Sequence, residues 1–446
     1  MNENRYLSGN FAPVEGELTC FDLDVTGRLP EELRGRLLRI GPNPVAPDPA
    51  KYHWFTGNGM VHGLHLRDGR AEWYRRRYVR DDQVVTARGW PPVPGPQHSA
   101  VGEGVVNTHV IGHAGRTLAL VEAGSSPVEL DYELETRSRT DFQGTLPGSF
   151  TAHPKRDPAT GELHACAYYF GWDHVQYLVV DRDGKVRRVV NVPLDHRPMI
   201  HDCSITAHWF VLLDLPVVFD AQMIAEGYPL PYRWDPTRPA RVGLLPRDGE
   251  ARDVVWADIE SCYVFHVLNS YEDPQGRVVL DVVRHPRMFA TDLLGPNEGA
   301  PTLDRWLVDP MGGPVKEARL DDRGQEFPRM DERRIGRSYR FGYCVGFRKG
   351  AELVGGLLKH DLQRASTVVY DEGPHRHFME PVFVPLSATS DEDDGWLMAY
   401  VHDTTTNKAD VVVLHAQDMA AGPVATVHLP DRVPFGFHGN WVPDER

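Results

Sequence analysis

Several features that mark other classes of protein are scarce in this sequence. The five cysteines form no Cys-x-x-Cys pair, which argues against a disulfide framework or a zinc knuckle and predicts buried thiols in a reducing compartment. No apolar run approaches the roughly 18 residues that a membrane-spanning helix needs. The N-terminus lacks the charged-then-apolar pattern of a signal peptide. We therefore expect a cytoplasmic protein that has, at most, a peripheral contact with the inner face of a membrane.

Basic charge and helical periodicity are also in short supply. A formal net charge of −15 at pH 7 leaves no basic excess to neutralise phosphates, so we expect no nucleic-acid partner. Amphipathic helical stretches are few, and residues 220–226 are the best candidate. No internal repeat, interior linker or low-complexity segment is visible. We interpret residues 1–446 as a single domain.

What the chain does contain is a long series of short β-prone segments separated by turns. Glycine and proline contribute 41 and 36 of the 446 residues, and Asp-Gly pairs such as Asp68-Gly69 and Asp183-Gly184 favour tight hairpins. Strands without crossover helices indicate antiparallel sheets. So many short strands favour an all-β propeller, in which radial repetition leaves only short edges. The pattern alone does not fix the number of blades.

Three longer segments interrupt this pattern, at about residues 80–105, 214–250 and 284–335. We expect them to be loops that cover one face of the fold together with short helices. The second is rich in prolines and aromatic residues, among them Phe219 and Trp234. Such residues could line an apolar entrance, and packing over the propeller face explains them equally well.

Four histidines occur in one kind of setting, each within or beside an apolar segment. One lies in the apolar segment 262–268, which reads as a buried strand, where an imidazole needs a hydrogen-bond partner or a metal. Their spacing approximates one, one and nearly three blades of roughly 64 residues, so a propeller would bring them together on its axis. Four imidazoles suit a first-row divalent metal with open positions. They are His153, His201, His266 and His438.

Histidines are common in this chain, which has 21 of them, and a propeller binding module with structural histidines remains an alternative. Several ordered segments, however, resemble the carotenoid cleavage oxygenase family, non-haem iron enzymes that split double bonds of carotenoids, apocarotenoids and stilbenes. The resemblance implies a seven-bladed propeller with Fe(II) held on its axis by the four histidines. The matching segments are 54–63 (WFTGNGMVHG), 151–154 (TAHP), 200–202 (IHD), 265–272 (FHVLNSYE), 379–384 (MEPVFV) and 437–439 (FHG).

The resemblance also implies three carboxylates behind the metal ligands. Each would accept a hydrogen bond from the Nδ1–H of one histidine, and we expect these to be His201, His266 and His438. Such a bond fixes the tautomer and turns Nε2 toward the metal. The matching residues are Glu122, Glu326 and Glu380.

Two further positions bear on the chemistry and the substrate. The resemblance places Thr108 near the open iron position, although an isolated strand threonine bonded to backbone would look the same. Stilbene cleavers carry a lysine where this chain has Val121, and an apolar side chain cannot hold a phenol oxygen. A long apolar polyene is therefore favoured. Expected substrate-binding residues are Phe55, Val121, Phe219 and Trp234, with Trp54 beside them.

The expected activity is cleavage of a carbon–carbon double bond in a carotenoid or apocarotenoid by O2, giving two carbonyl products. Such a substrate would be extracted from a membrane, through an apolar patch within residues 214–232. One alternative keeps the same chemistry but acts on a stilbenoid or phenylpropenoid. Another is a metal-dependent isomerase or hydrolase on the same scaffold.

Overall fold

The protein is a seven-bladed β-propeller, as predicted. The structure, a computed structural model, describes residues 4–97, 101–349 and 354–444. Seven antiparallel sheets follow one another along the chain, and each has four to six strands. Residues 98–100, within the predicted loop 80–105, lie outside the described residues.

The blades are numbered 1 to 7 in chain order, and blade 1 contains the first strand of the chain, Leu18–Phe21. Blade 1 consists of Leu18–Phe21, Arg70–Tyr78, Gly59–Arg67, Gly35–Pro42 and Gly439–Pro443. Blade 2 consists of His109–His113, Arg116–Leu120, Val128–Leu130 and Thr136–Arg139. Blade 3 consists of Lys155–Arg156, Leu163–Ala167, His174–Val180 and Val186–Pro193. Blade 4 consists of Ser204–Ile205, Trp209–Asp214, Ala240–Pro246 and Val255–Ile259.

The remaining blades follow the same plan. Blade 5 consists of Tyr263–Glu272, Val278–His285, Thr302–Val308 and Lys316–Asp321. Blade 6 consists of Gln325–Arg329, Phe341–Gly346, Leu357–Asp361 and Ser366–Tyr370. Blade 7 consists of Val25–Gly27, Pro423–His428, Lys408–His415, Gly395–Asp403, Arg376–Phe378 and Val382–Pro385. A separate hairpin pairs Val217–Phe219 with Tyr232–Trp234.

Helices are short. Within the described residues the two α-helices are Asp82–Arg88 and Ala221–Ala225, and the second confirms the predicted helix at 220–226. It begins where the Asp220 side chain accepts a hydrogen bond from the Gln222 amide at 2.9 Å, a normal N-cap. No helix in the described ranges has the length and apolarity needed to cross a bilayer. The 3-10 turns are Arg5–Leu7, Gly9–Phe11, Trp54–Thr56, Ala251–Asp253, Glu332–Arg334 and Ala416–Ala421.

Both ends of the chain build blade 1, which closes the ring. The C-terminal strand Gly439–Pro443 pairs with Gly35–Pro42. Just before it, Gly436 passes so close to Gly41 that a Cβ on Gly41 would lie 2.5 Å from the Gly436 Cα atom. Only two glycines allow this approach. The closure therefore fixes the position of His438, whose carbonyl accepts a hydrogen bond from the Ile40 amide at 3.0 Å.

Two of the three segments predicted to be loops contain strands, so the prediction of continuous loops is wrong there. Residues 214–250 contain the hairpin and the blade 4 strand Ala240–Pro246, and residues 284–335 contain the blade 5 strands Thr302–Val308 and Lys316–Asp321. Prolines flank the apolar core of Ala240–Pro246, and charged residues interrupt Thr302–Val308. These features hid the strands, because pairing with neighbouring strands, not local sequence, stabilises them.

Candidate metal centre

The four singled-out histidines converge on the propeller axis. One potential ligand atom from each lies within 4.8 Å of the corresponding atoms of the others, and all four residues are buried. The Nε2 atoms of His153 and His201 are 3.0 Å apart, as are those of His266 and His438. They come from blades 3, 4, 5 and 1, so the repeat of the blades brings together residues distant in sequence.

A local irregularity of the sheet directs one of these side chains, that of His266. In blade 5 the ladder passes from Val264 opposite Arg284 to Val267 opposite Val282, so two residues of one strand face a single residue of the other. His266 is one of those two, and such a bulge redirects the side chains that it carries.

Asp202 ties three of the histidine segments together. Its carboxylate accepts hydrogen bonds from the backbone amides of Val267 at 2.8 Å and Cys203 at 2.7 Å. It also forms an ion pair with Lys155 at 2.8 Å. These partners lie within two residues of His266, His201 and His153, so one buried carboxylate clamps the three segments.

The three predicted glutamates come from the other blades, 2, 6 and 7. Glu122 Oε1 lies 2.9 Å from His201 Nδ1. Glu326 Oε2 lies 2.6 Å from His266 Nδ1, and Glu380 Oε1 lies 2.8 Å from His438 Nδ1. A carboxylate accepts, so each of these Nδ1 atoms carries the proton. All seven blades thus contribute one of these side chains to the axis.

The electrostatics of this cluster favour a cation. Burial, reinforced by the neighbouring imidazoles, holds the pKa of His153 and that of His438 well below the usual value. Burial also opposes charge on His266, but the charge and hydrogen bond of Glu326 raise its pKa above the usual value. A more basic imidazole is a stronger metal donor. When both rings are neutral, with their protons on Nδ1, His266 and His438 turn bare Nε2 lone pairs toward each other.

The donor set fits a first-row divalent metal. Imidazole nitrogen binds such an ion at about 2.1 Å, as in zinc sites, so two donors at right angles around one ion lie about 3.0 Å apart. That is the spacing of both Nε2 pairs. Within each pair, two unprotonated Nε2 atoms at this distance would repel each other unless a positive charge lay between them.

A largely apolar cavity of about 570 Å³ opens on one side of the histidines. Phe55, Val121 and Thr108 line it, together with Trp54. The other two expected substrate-binding residues do not. Phe219 stacks behind Phe170, which does line the cavity, with ring centroids 5.1 Å apart. Trp234 belongs to the same hairpin and packs against the core of blades 3 to 5.

Thr108 lines the apolar cavity, and a neighbour fixes its rotamer. The hydroxyl donates to Asn107 Oδ1 at 2.9 Å. Asn107 is itself oriented by two hydrogen bonds from its Nδ2 atom, to the carbonyl oxygens of Phe55 at 2.9 Å and Gly57 at 2.7 Å. The Thr108 carbonyl accepts a hydrogen bond from the His438 amide at 3.1 Å. Asn107 therefore holds Thr108 in place beside His438.

A second cavity, of about 920 Å³, reaches the histidines from another side. It is lined by charged side chains, and both cavities touch His266 and His438. Its basic residues are Arg36, Arg67, Arg116, Lys155, Arg156 and Arg329. Its acidic residues are Glu72, Asp202, Glu332, Glu380 and Asp444.

Sequence reasoning missed four residues around this centre. Asp202 and Asn107 each adjoin a residue that was singled out, so their positions beside His201 and Thr108 were an available signal. His285 and Arg329 carried none, because their contacts with Glu326 and Glu380 join segments that are far apart in sequence.

The fold and the site together define the class of protein. It is a β-propeller in which four histidines converge on the axis, and three of them are hydrogen-bonded to glutamates. The family described as retinal pigment epithelial membrane protein matches residues 11–443. A carotenoid cleavage oxygenase of Mycobacterium tuberculosis is 46% identical, covering 99% of this chain and 98% of that protein. A carotenoid 9,10(9',10')-cleavage dioxygenase of Crocus sativus is 33% identical, covering 99% and 89%.

Among solved structures, lignostilbene dioxygenase of Pseudomonas brassicacearum superposes with a TM-score of 0.89 at 31% identity, covering 98% of both chains. The chain therefore belongs to the carotenoid cleavage oxygenase family, and it is an oxygenase.

Proposed function

We propose that this protein uses Fe(II) and O2 to cleave one carbon–carbon double bond of a carotenoid or apocarotenoid into two carbonyl products. The observation that carries the proposal is the convergence of four imidazoles at the end of an apolar cavity. The stoichiometry supports it, since one O2 supplies the oxygen atoms of both carbonyl groups and no further reductant is needed.

The residues have distinct roles in this proposal. His153, His201, His266 and His438 hold the metal through Nε2, and iron(II) bound there would supply the activation of O2. Glu122, Glu326 and Glu380 keep three of the imidazoles in the tautomer that leaves Nε2 free. Thr108, locked by Asn107, presents its side chain to the open side of the centre.

The cavity supports an apolar substrate. Phe55, Val121 and Phe437 place carbon surface against the space beside the histidines, and burying a polyene there removes apolar area from water at about 25 cal/mol per Å². The relatives named for carotenoid cleavage agree with this choice. A substrate that packs against this wall would lie beside the histidines that would hold the metal.

A phenolic stilbenoid is the second candidate, and one observation favours it. Tyr232 lines the same cavity, and its hydroxyl is buried without a hydrogen-bond partner among the described residues. A buried unpaired hydroxyl could bond a phenol. Val121 argues against this candidate, because it offers no second polar anchor.

An apolar substrate also suggests where the enzyme meets a membrane. Ile224 and Tyr228 are 48% and 42% exposed, next to Pro229 and Leu230, which line the cavity. We propose that this rim touches the inner face of a membrane, within the patch predicted at 214–232. Binding to phosphatidylcholine vesicles should fall in the Ile224→Glu variant; undiminished binding would exclude the rim.

The deciding experiment starts with anaerobic purification and metal analysis. The protein is then incubated under O2 with an apocarotenal and, separately, with a hydroxystilbene, and the products are followed by HPLC. We expect about one iron per chain and a shortened aldehyde from the apocarotenal alone. Cleavage of the stilbene alone would transfer the proposal to the second candidate. Absence of iron and of turnover, even after Fe(II) is added, would refute both.

A further inference from the structure

The three glutamates behind the histidines differ in what holds them. Glu380 accepts the Gly439 amide through Oε2 at 2.8 Å and lies 3.4 Å from Arg329. Glu122 Oε2 is buried with no hydrogen-bond partner among the described residues. Glu326 is the only one of the three whose free oxygen meets a second imidazole, with Oε1 2.8 Å from His285 Nε2.

His285 is built into the fold as a fixed donor. It ends the strand Val278–His285, opposite Tyr263 on the strand that carries His266. It is 3% exposed, and its ring stands perpendicular to that of Phe265, with centroids 5.3 Å apart. The carboxylate of Glu326 can only accept, so the proton of this bond lies on His285 Nε2.

Glu326 therefore spans two imidazoles. Its Oε2 atom accepts from His266 at 2.6 Å and from the Phe327 amide at 2.5 Å, and its Oε1 atom accepts from His285. A carboxylate bonded through one oxygen can still turn about its terminal torsion, which is a broad one. A carboxylate bonded through both oxygens cannot turn without breaking a charge-assisted hydrogen bond.

We propose that His285 is a positioning residue, which locks Glu326 and thereby fixes the ring plane of His266 and the direction of its Nε2 atom. The inference rests on the proposed metal site and adds to it a residue that lines the apolar cavity but acts on the metal ligand only through Glu326. His266 would be held by a relay of two side chains, Glu326 and His285.

Co(II) binding to the metal-free protein tests this role, with affinity measured against a competing chelator and geometry read from the visible absorption bands. His285→Leu removes the donor, and His285→Gln keeps an amide N–H near the position of Nε2. The matched control is His62→Leu. His62 is 4% exposed, bonds the Tyr74 hydroxyl at 2.8 Å, and lines neither cavity.

We expect His285→Leu to weaken Co(II) binding by roughly tenfold and to shift the bands, as for other outer partners of metal ligands. His285→Gln should recover most of the affinity, and His62→Leu should match the wild type. If His285→Leu does not fold, His285→Asn replaces it, because its amide is too short to reach Glu326.

Three results would overturn the inference alone, given that the wild type binds Co(II). They are unchanged affinity and bands in the folded His285→Leu variant, an equal loss in His62→Leu, and no recovery in His285→Gln. A wild-type protein that binds no divalent metal would instead overturn the proposed metal site, and the role of His285 with it.

Discussion

Two cavities meet at the four histidines, and their walls have opposite chemistry. One is lined mainly by aromatic and aliphatic side chains, and its charged residues near the histidines are Glu122 and Glu326, which are already bonded to them. The other has charged residues of both signs along its length. A polyene gains free energy only in the first, since desolvating charges in the second would cost more than the contact returns.

The two cavities also have different tasks. The apolar cavity offers contacts for a substrate, whereas the charged cavity contains groups that hold the ligand segments, such as the Lys155–Asp202 ion pair. Arg329 does the same for blade 1, donating to the carbonyl of Gly439 at 2.8 Å. We therefore expect substitutions on the two sides to affect different measurable constants.

The largest effect is expected from removing a histidine that lines both cavities. His266→Ala deletes one of the converging imidazoles, while His285 still pairs Glu326. Turnover should fall by roughly 1,000-fold or more, because the proposed chemistry requires the metal. Metal analysis and product formation at saturating substrate measure it.

The matched control for this variant is His360→Ala. His360 is buried in blade 6 and bonds Gln325 and Thr367 outside the centre. The His360→Ala variant should retain the metal. A His266→Ala protein with full metal content and normal turnover would show that the four histidines do not form a metal site.

A smaller effect is expected from placing charge on the apolar side. Val121→Lys puts an ammonium group beside the substrate space, and kcat/KM for an apocarotenal should fall by roughly 10- to 100-fold because a buried charge needs a partner. Val121→Met, of similar length but uncharged, is the control. Equal losses in both variants, or none in Val121→Lys, would contradict the apolar character of this wall.

The sequence predicted the centre better than its surroundings, for a physical reason. His266 and its counterparts stand in local settings that can be recognised one at a time, and the blade repeat brings such settings to one axis. Whether Phe219 lines the cavity depends instead on a hairpin whose strands are 12 residues apart and on Phe170 in a different blade. No local pattern encodes that contact.

The strands and hydrogen-bond donors that were missed also depend on partners far away in sequence. Ala240–Pro246 is stabilised by pairing with Trp209–Asp214, about 30 residues earlier. His285 carries a role only because Glu326 lies across the blade 5–6 boundary, 41 residues away. In contrast, the strand at 262–268 was recognisable from its own apolar residues, and the structure extends it to Tyr263–Glu272.

The smallest effect is expected from reversing a charge on the other side. Glu332 lines the charged cavity, bonds Arg329 at 2.7 Å and has a side chain that is 51% exposed. With one partner half exposed, this ion pair contributes at most about 1 kcal/mol, so Glu332→Lys should change KM for an apocarotenal by less than about fivefold. Phe55→Ala, on the apolar side, is the comparison and should raise KM by roughly tenfold, since it removes buried contact area. A large rise in KM in Glu332→Lys would mean that the substrate extends past the histidines into the charged cavity, and the division between the two sides would then fail.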